Sequence, residues 1–289
     1  MRLEIPARPA LRYHGGKWKL AKWIISFFPE HRVYVEPFGG AASVLLQKPR
    51  SYAEVYNDLW DVVVNVFQVL RDPQKSEQLK TELELTPFAR TEFNKAFGHR
   101  PRFSGDVDAA RLAILRSFAG FGSASTNGDY ATGFRSNSNR SGTTPAHDWV
   151  NYPEQLETFC ARMRGVVIEN REALELIPQH DTEQTLFYVD PPYPHETRNM
   201  NRGNSAYACE MTDDDHRRLA DVLQGVKGTV LISGYACEMY DKELYPNWYR
   251  EIKHTHGDGA TDRTEILWMN RRLNSQEVLP FANQEQRCE

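Results

Sequence analysis

Four residues with the means for chemistry stand together, Asp190-Pro191-Pro192-Tyr193, directly after the apolar run Leu186-Phe187-Tyr188-Val189. The apolar run has the length and β-forming composition of a buried strand. Proline fixes φ and has no N–H to give a ladder, so the strand must stop there. Asp190 is therefore expected at the carboxyl end of a strand, at the start of a rigid loop. In open α/β sheets that edge is where ligands bind. The chemistry such a loop suits is methylation of an exocyclic amine. An amino group conjugated to an aromatic ring is a poor nucleophile, because its lone pair is delocalised into the ring. Two acceptors on its hydrogens pull the nitrogen toward tetrahedral geometry and aim the lone pair. The Asp190 carboxylate is one candidate acceptor, and the Pro191 carbonyl, held still by the ring of Pro192, is the other. Tyr193 offers a flat face for a base lifted out of its duplex. A bare Asp-Pro pair would read as a capped turn; the full tetrapeptide at a strand end is rare by chance.

Asp-Pro-Pro-Tyr after a hydrophobic strand resembles motif IV of the adenine-N6 DNA methyltransferases. Its surroundings are similar to the Dam-related group, in particular the phage-type, D12 class branch. The resemblance implies an α/β fold: a Rossmann-like S-adenosylmethionine-dependent methyltransferase sheet with an inserted target-recognition region. It further implies S-adenosylmethionine as cofactor, double-stranded DNA as partner, and N6 of a flipped adenine as acceptor. Asp190, Pro191, Pro192 and Tyr193 become the expected catalytic residues, with Asp190 also bordering the cofactor.

Such an enzyme needs a cofactor site elsewhere. Leu11-Arg12-Tyr13-His14-Gly15-Gly16-Lys17 precedes an amphipathic run from Trp18 to Phe28. Read on its own it is a helix-entry loop whose glycines permit a tight turn. It is similar to the family's motif X, which implies that Tyr13, Gly16 and Lys17 contact the cofactor and that Lys17 also faces DNA. Val33-Tyr34-Val35 then leads through Glu36-Pro37-Phe38-Gly39-Gly40-Ala41-Ala42-Ser43 to Val44-Leu45-Leu46. This reads as a strand, a small-residue loop that a ligand can approach, and a helix. The loop resembles motif I, which implies cofactor contacts from Glu36, Pro37, Phe38, Gly39, Gly40 and Ala41. It departs from that motif at Ala42, where a glycine is usual, and the added methyl is expected to crowd the site. A second strand from Ser51 ends at Asp58, about 20 residues after the glycine loop, near the spacing for an acid on ribose hydroxyls. Asp58 could equally cap a helix starting at Leu59; the similarity to motif II favours the ribose. Val166 to Asn170 reads as a further strand, with Asn170 either near the cofactor's adenine, by analogy, or capping the next helix.

The middle of the chain differs in character. A helical stripe from Leu59 to Leu70 gives way after Asp72-Pro73 to phenylalanines interleaved with arginines, and Ala109 to Phe118 reads as another helix. From Gly120 to Pro145 the residues are small and polar, with Asn127-Gly128 as a hairpin-turn signal. The placement of this stretch between the glycine loop and Asp190 matches the family's target-recognition region. Arg116, Asn127, Arg135, Asn137 and Arg140, together with Lys17, are accordingly expected at DNA. The organisation expected is a catalytic domain of residues 1–72 and 146–275, an inserted recognition region 73–145, and a polar tail 276–289.

The net charge of −4 looks unsuited to a nucleic-acid partner until it is divided. Residues 1–34 hold seven Lys and Arg against two Glu, and residues 86–145 hold eight against four acids. Positive charge thus gathers in two segments, as phosphate contact would require. No apolar run approaches the roughly 20 residues that span a bilayer. The cysteines at 160, 209, 237 and 288 form no CxxC pair, which reads as free thiols in a reducing cytoplasm. No metal is implied. In Met211-Thr212-Asp213-Asp214-Asp215-His216 the acids read as helix capping. Thr229 to Ser233 is expected as a buried strand and Thr264 to Met269 as an edge strand. Alternatives to the leading reading are a catalytically silent DNA-binding module on the same fold and a methyltransferase acting on RNA adenine, cytosine N4 or a protein amide.

Overall fold

The computed structural model describes residues 5–122, 132–136, 143–197, 207–256 and 262–273. Within them, β1 (Val33–Glu36), β2 (Ala53–Asn57), β3 (Val166–Glu169), β4 (Thr185–Val189), β5 (Thr229–Tyr235), β6 (Tyr249–His256) and β7 (Asp262–Met269) form one sheet in the order β3-β2-β1-β4-β5-β7-β6. The first five strands in that order are parallel, while β7 runs antiparallel to both β5 and β6. The strand read as an edge, Thr264 to Met269, lies inside the sheet instead, because β6, unforeseen in the sequence, pairs along its outer side. The winding reverses between β1 and β4, and that switch point opens a crevice beyond their carboxyl ends.

Side-chain alternation explains the layers. Along β4, Leu186 and Tyr188 enter one apolar core and Phe187 and Val189 the other, as a pleated strand covered on both faces requires. The first core is closed by α1 (Ala21–Ile25), α2 (Asp61–Arg71), α3 (Pro73–Leu85), α4 (Arg90–Lys95), α5 (Val107–Ala119), α6 (Pro145–Val150) and α7 (Leu156–Met163). The second is closed by α8 (Ala173–Gln179) and α9 (Asp213–Gln224). On α2, Val63, Val66, Phe67 and Leu70 are fully buried, and each such side chain contributes about 1.5–3 kcal/mol.

Asp72 and Pro73 divide α2 from α3. Proline cannot continue the helix, and the Asp72 carboxylate accepts the N–H groups of Gln74 and Lys75 to start the next one. Helix α3 then packs on α2 and α7, and α5 on α2 and α3, so this part of the segment 73–145 shares the first core. After α5 the chain returns through an antiparallel bridge between Gly120 and Phe134, with Arg135 N–H on the Ala119 carbonyl. The turn at Asn127-Gly128 falls outside the described residues, as do Asn137 and Arg140.

The helix expected over Val44 to Leu46 is a series of turns. The ladder fails at Gln47, whose N–H turns to the Val44 carbonyl at 3.1 Å while its side-chain amide takes the Ser43 carbonyl at 3.2 Å; Glu36 accepts the Leu45 N–H at 2.7 Å, a first-turn donor with no helical acceptor. Among the described residues no helix is long and apolar enough to cross a membrane.

Candidate active site

The two loops at the switch point border one cavity of about 650 Å³. Tyr13, Gly16, Lys17, Glu36, Pro37, Phe38, Gly39, Gly40, Ala41, Asp58, Asp190 and Pro192 all line it. Pro191, Tyr193 and Asn170 do not appear on its wall, and further lining comes from Trp60, Arg171 to Glu175, Tyr207, Cys209, Glu210 and Met211.

Backbone geometry shapes the β1 side. The Gly39 N–H donates to the Asn57 carbonyl at 2.7 Å, and the Tyr56 hydroxyl donates to the Gly40 carbonyl at 2.8 Å. These bonds draw the loop so close to β2 that a Cβ on Gly39 would stand 2.2 Å from the Tyr56 ring. Gly40 has φ +47° and Ala42 has φ +52°. Alanine at 42 thus occupies a left-handed position that glycine would fill freely, at about 1–2 kcal/mol of strain. Ala42 is fully buried and is not on the cavity wall, so the departure costs backbone strain, not ligand space.

Asp58 does not cap the helix that follows, since α2 begins at Asp61 with Trp60 at its N-cap and no side-chain cap bond. Its Oδ2 accepts the Gly40 N–H at 2.8 Å and its Oδ1 the Trp60 N–H at 2.9 Å, so it clasps the glycine loop to the tip of β2 while bordering the cavity. Asn170 is corrected: its amide donates to the carbonyls of Asp58 and Leu59, at 2.8 and 3.1 Å, on the outside of that clasp. The residues following it, Arg171 to Glu175, reach the cavity in its place.

Electrostatics set what the cavity can hold. Seven carboxylates against three Lys or Arg side chains line it. Burial pushes Glu36 up to about 7, against the hydrogen bonds from Tyr34 and Leu45 that pull it down. Burial likewise pushes Asp58 up to about 6, against the backbone bonds it accepts. A buried acidic enclosure with a close-approach glycine loop fits a ligand carrying positive charge and needing main-chain contact. Ser43 Oγ and Trp60 Nε1, buried beside the cavity, have no hydrogen-bond partner in the protein, which leaves polar capacity there. The residues present therefore fit a sulfonium methyl donor. Among the described residues no group of three His, Cys, Asp or Glu could hold a metal ion.

On the β4 side, Asp190 is held through one oxygen. Lys17 Nζ lies 2.9 Å from its Oδ1, and the Ser233 hydroxyl donates to the same oxygen at 2.8 Å. Ser233 is joined to the Tyr188 hydroxyl at 3.1 Å, and Lys17 also donates to the Gly15 carbonyl at 2.7 Å. Lys17 is 5 % exposed, so the DNA-facing role expected for it is replaced by a buried one. Burial alone would lower its ammonium, but Asp190 and Glu265 more than offset that and the net shift is upward. Tyr193 is not the open face expected for a stacked base. Its ring lies beneath Lys17 at 4.9 Å and edge-on to Tyr235, and its hydroxyl donates to Glu265.

Two expected DNA contacts are corrected as well. Arg116 is 1 % exposed and donates to the Ala96 carbonyl at 2.8 Å; Arg135 is buried and donates to the Phe118 carbonyl at 2.9 Å. Both satisfy main-chain acceptors inside the fold, where phosphates do not reach. The residues missed by the sequence reading are Ser233, Tyr188 and Glu265. The one available signal was a polar residue inside an otherwise apolar strand, as in Thr264-Glu265-Ile266-Leu267.

The chain is 23 % identical over 210 residues to modification methylase StsI of Streptococcus sanguinis, an overlap covering 68 % of this chain and 30 % of that protein. It thus spans about a third of that relative's length. The family model for D12 class N6 adenine-specific DNA methyltransferase matches residues 13–261, which takes in the glycine loops, the β4 corner and strands β5 and β6 and stops just before β7. The chain belongs to the D12 class N6 adenine-specific DNA methyltransferases.

Proposed function

We propose that this chain transfers the methyl group of S-adenosylmethionine to N6 of an adenine flipped out of double-stranded DNA. The observation that carries the reading is the shared cavity: the Glu36–Ser43 loop and Asp190 face one space large enough for donor and acceptor to meet. S-adenosylmethionine supplies a methyl on a cationic sulfur, which leaves as a neutral sulfide when the carbon passes to nitrogen. The protein's part is to aim the amine. Asp190 has its Oδ1 occupied by Lys17 and Ser233, so Oδ2 is the oxygen left to accept an amine hydrogen. Positive charge growing on the nitrogen is met by that fixed carboxylate, and no strong base is needed before the new bond forms. The proton then lost passes to Asp190 or to water. Extruding the base costs a few kcal/mol, which contacts to the flanking duplex must offset.

The test is incubation of the full chain with isotopically labelled S-adenosylmethionine and either plasmid DNA or RNA of matched sequence, followed by mapping of modified bases. Label at N6 of adenine in DNA is expected. Cofactor binding without transfer would instead support a silent DNA-binding module, and label in RNA alone would move the acceptor.

Glu36 and Asp58 add a pH dependence. A cationic cofactor favours their ionised forms, so its affinity should weaken as pH falls from 7.5 to 5.5, first through about 7 at Glu36 and then through about 6 at Asp58. Calorimetric titration across that range checks it; a dissociation constant flat with pH would show that neither acid faces the bound cation.

A further inference from the structure

Glu265 sits on β7 opposite Tyr235 of β5 and is 4 % exposed. A carboxylate there contributes nothing to an apolar strand and is costly to bury unless it is partnered. Its partners are particular. The Tyr193 hydroxyl donates to its Oε1, and Lys17 Nζ lies 3.7 Å from that same oxygen. Glu265 therefore grips two of the restraints on Asp190, the cation on Asp190 Oδ1 and the aromatic residue that ends the Asp190–Tyr193 loop, while the third, Ser233, acts independently of it.

We propose that Glu265 is a positioning residue for methyl transfer, aiming Asp190 through Lys17 and anchoring the Asp190–Tyr193 loop through the Tyr193 hydroxyl. The inference rests on the reading of this site as a methyl-transfer centre. It also gives the cluster its charge. One ammonium shared by two carboxylates leaves a net negative charge, arranged before any positive charge develops on the amine. With a neutral residue at 265, Lys17 would be paired to Asp190 alone and that surplus would vanish.

The groups facing Glu265 are Lys17 from the N-terminal loop, Tyr188 and Asp190 from β4 and its end, Tyr193 from the loop beyond, and its cross-strand neighbours Tyr235 on β5 and Lys253 on β6. Burial pushes the Glu265 carboxyl upward, Lys17 pulls it back, and the net is upward. Acidification should thus neutralise Glu265 and slow the reaction.

The experiment compares Glu265→Gln and Glu265→Ala with the wild-type chain in single-turnover transfer to DNA from pH 5.5 to 8.5, with cofactor affinity measured by calorimetry. Glu265→Ala should lower kcat by about tenfold to a hundredfold, a span at and below that for losing one preorganised hydrogen bond. Cofactor affinity and the KM for DNA should stay within about threefold. Glu265→Gln keeps an oxygen for the Tyr193 hydroxyl, so it should recover part of the rate at pH 8, with its acid limb moved to lower pH. A purely structural role would not move that limb. Wild-type kcat in a folded Glu265→Ala, or an unmoved acid limb in Glu265→Gln, overturns the proposal. Should Glu265→Ala fail to fold, the isosteric Glu265→Gln decides alone. A wild-type chain that binds cofactor and methylates nothing removes the methyltransferase reading and this role with it; an active wild type with unaffected variants removes only the role.

Discussion

Replacing Asp190 with alanine should abolish methyl transfer, with kcat down by about a thousandfold or more, while the cofactor dissociation constant stays within about threefold. The upper end of what one preorganised hydrogen bond contributes is about a thousandfold, and Asp190 adds a charge to its bond. The variant should fold, because Lys17 keeps Glu265 as a second partner at 3.7 Å. Asp190→Asn is expected to be nearly as inactive, for a geometric reason. Lys17 and Ser233 both donate toward Oδ1, so the single amide oxygen of asparagine will turn to them. The amide –NH₂ then faces the substrate amine, donor against donor. Single-turnover transfer from labelled cofactor measures both variants. If Asp190→Asn kept more than about a tenth of the wild-type rate, the one-sided hold on this carboxylate would be wrong.

Lys17→Met should cost both stability and rate. It removes the cation between two carboxylates whose side chains are 19 % and 5 % exposed. Deleting one partner of a buried ion pair costs about 3–5 kcal/mol. The deficit should depend on pH in a definite direction. Glu265 is already shifted upward, and without Lys17 it moves further in the same direction. A carboxyl raised in the folded state lends stability below its unfolded value and loses it as pH climbs through the folded one. Thermal unfolding of the variant should therefore approach that of the wild type as pH falls from 8 to 5.5. A deficit under about 1 kcal/mol, or one unchanged by pH, would show that Lys17 is not the shared counter-ion. Loss of DNA affinity alone, with stability intact, would return Lys17 to the surface role its sequence context suggested.

Local signals made much of this molecule legible. The β4 strand and its corner, the Gly39–Gly40 loop and the acid ending β2 each announce themselves within about ten residues, because periodicity and proline or glycine punctuation act at short range. What stayed hidden depends on partners far away in the chain. Arg116 and Arg135 look like phosphate ligands by type, yet each is bound to a main-chain carbonyl that only the folded chain brings near. The turns over Val44 to Leu46 defeat a helical pattern because Gln47 bonds the Val44 carbonyl through its N–H and the Ser43 carbonyl through its side chain, a choice that its residue type does not announce. Lys17 is expected at the cofactor and DNA by resemblance, and its place between two acids emerges only where β4 and β7 converge on it. The inner place of β7 could not be seen without β6, whose charged residues give no clear alternation.

The route of the chain through the Lys17, Asp190 and Glu265 cluster has a consequence for biosynthesis. The cation emerges from the ribosome first, its catalytic partner 173 residues later, and the last acid only after most of the sheet has been made. Pairings this distant in sequence form slowly, and they have to wait for translation to finish them. A growing chain still short of β7 has Lys17 paired to Asp190 alone, without the second carboxylate, so on the role proposed for Glu265 the centre reaches its full rate only once the last strand is made.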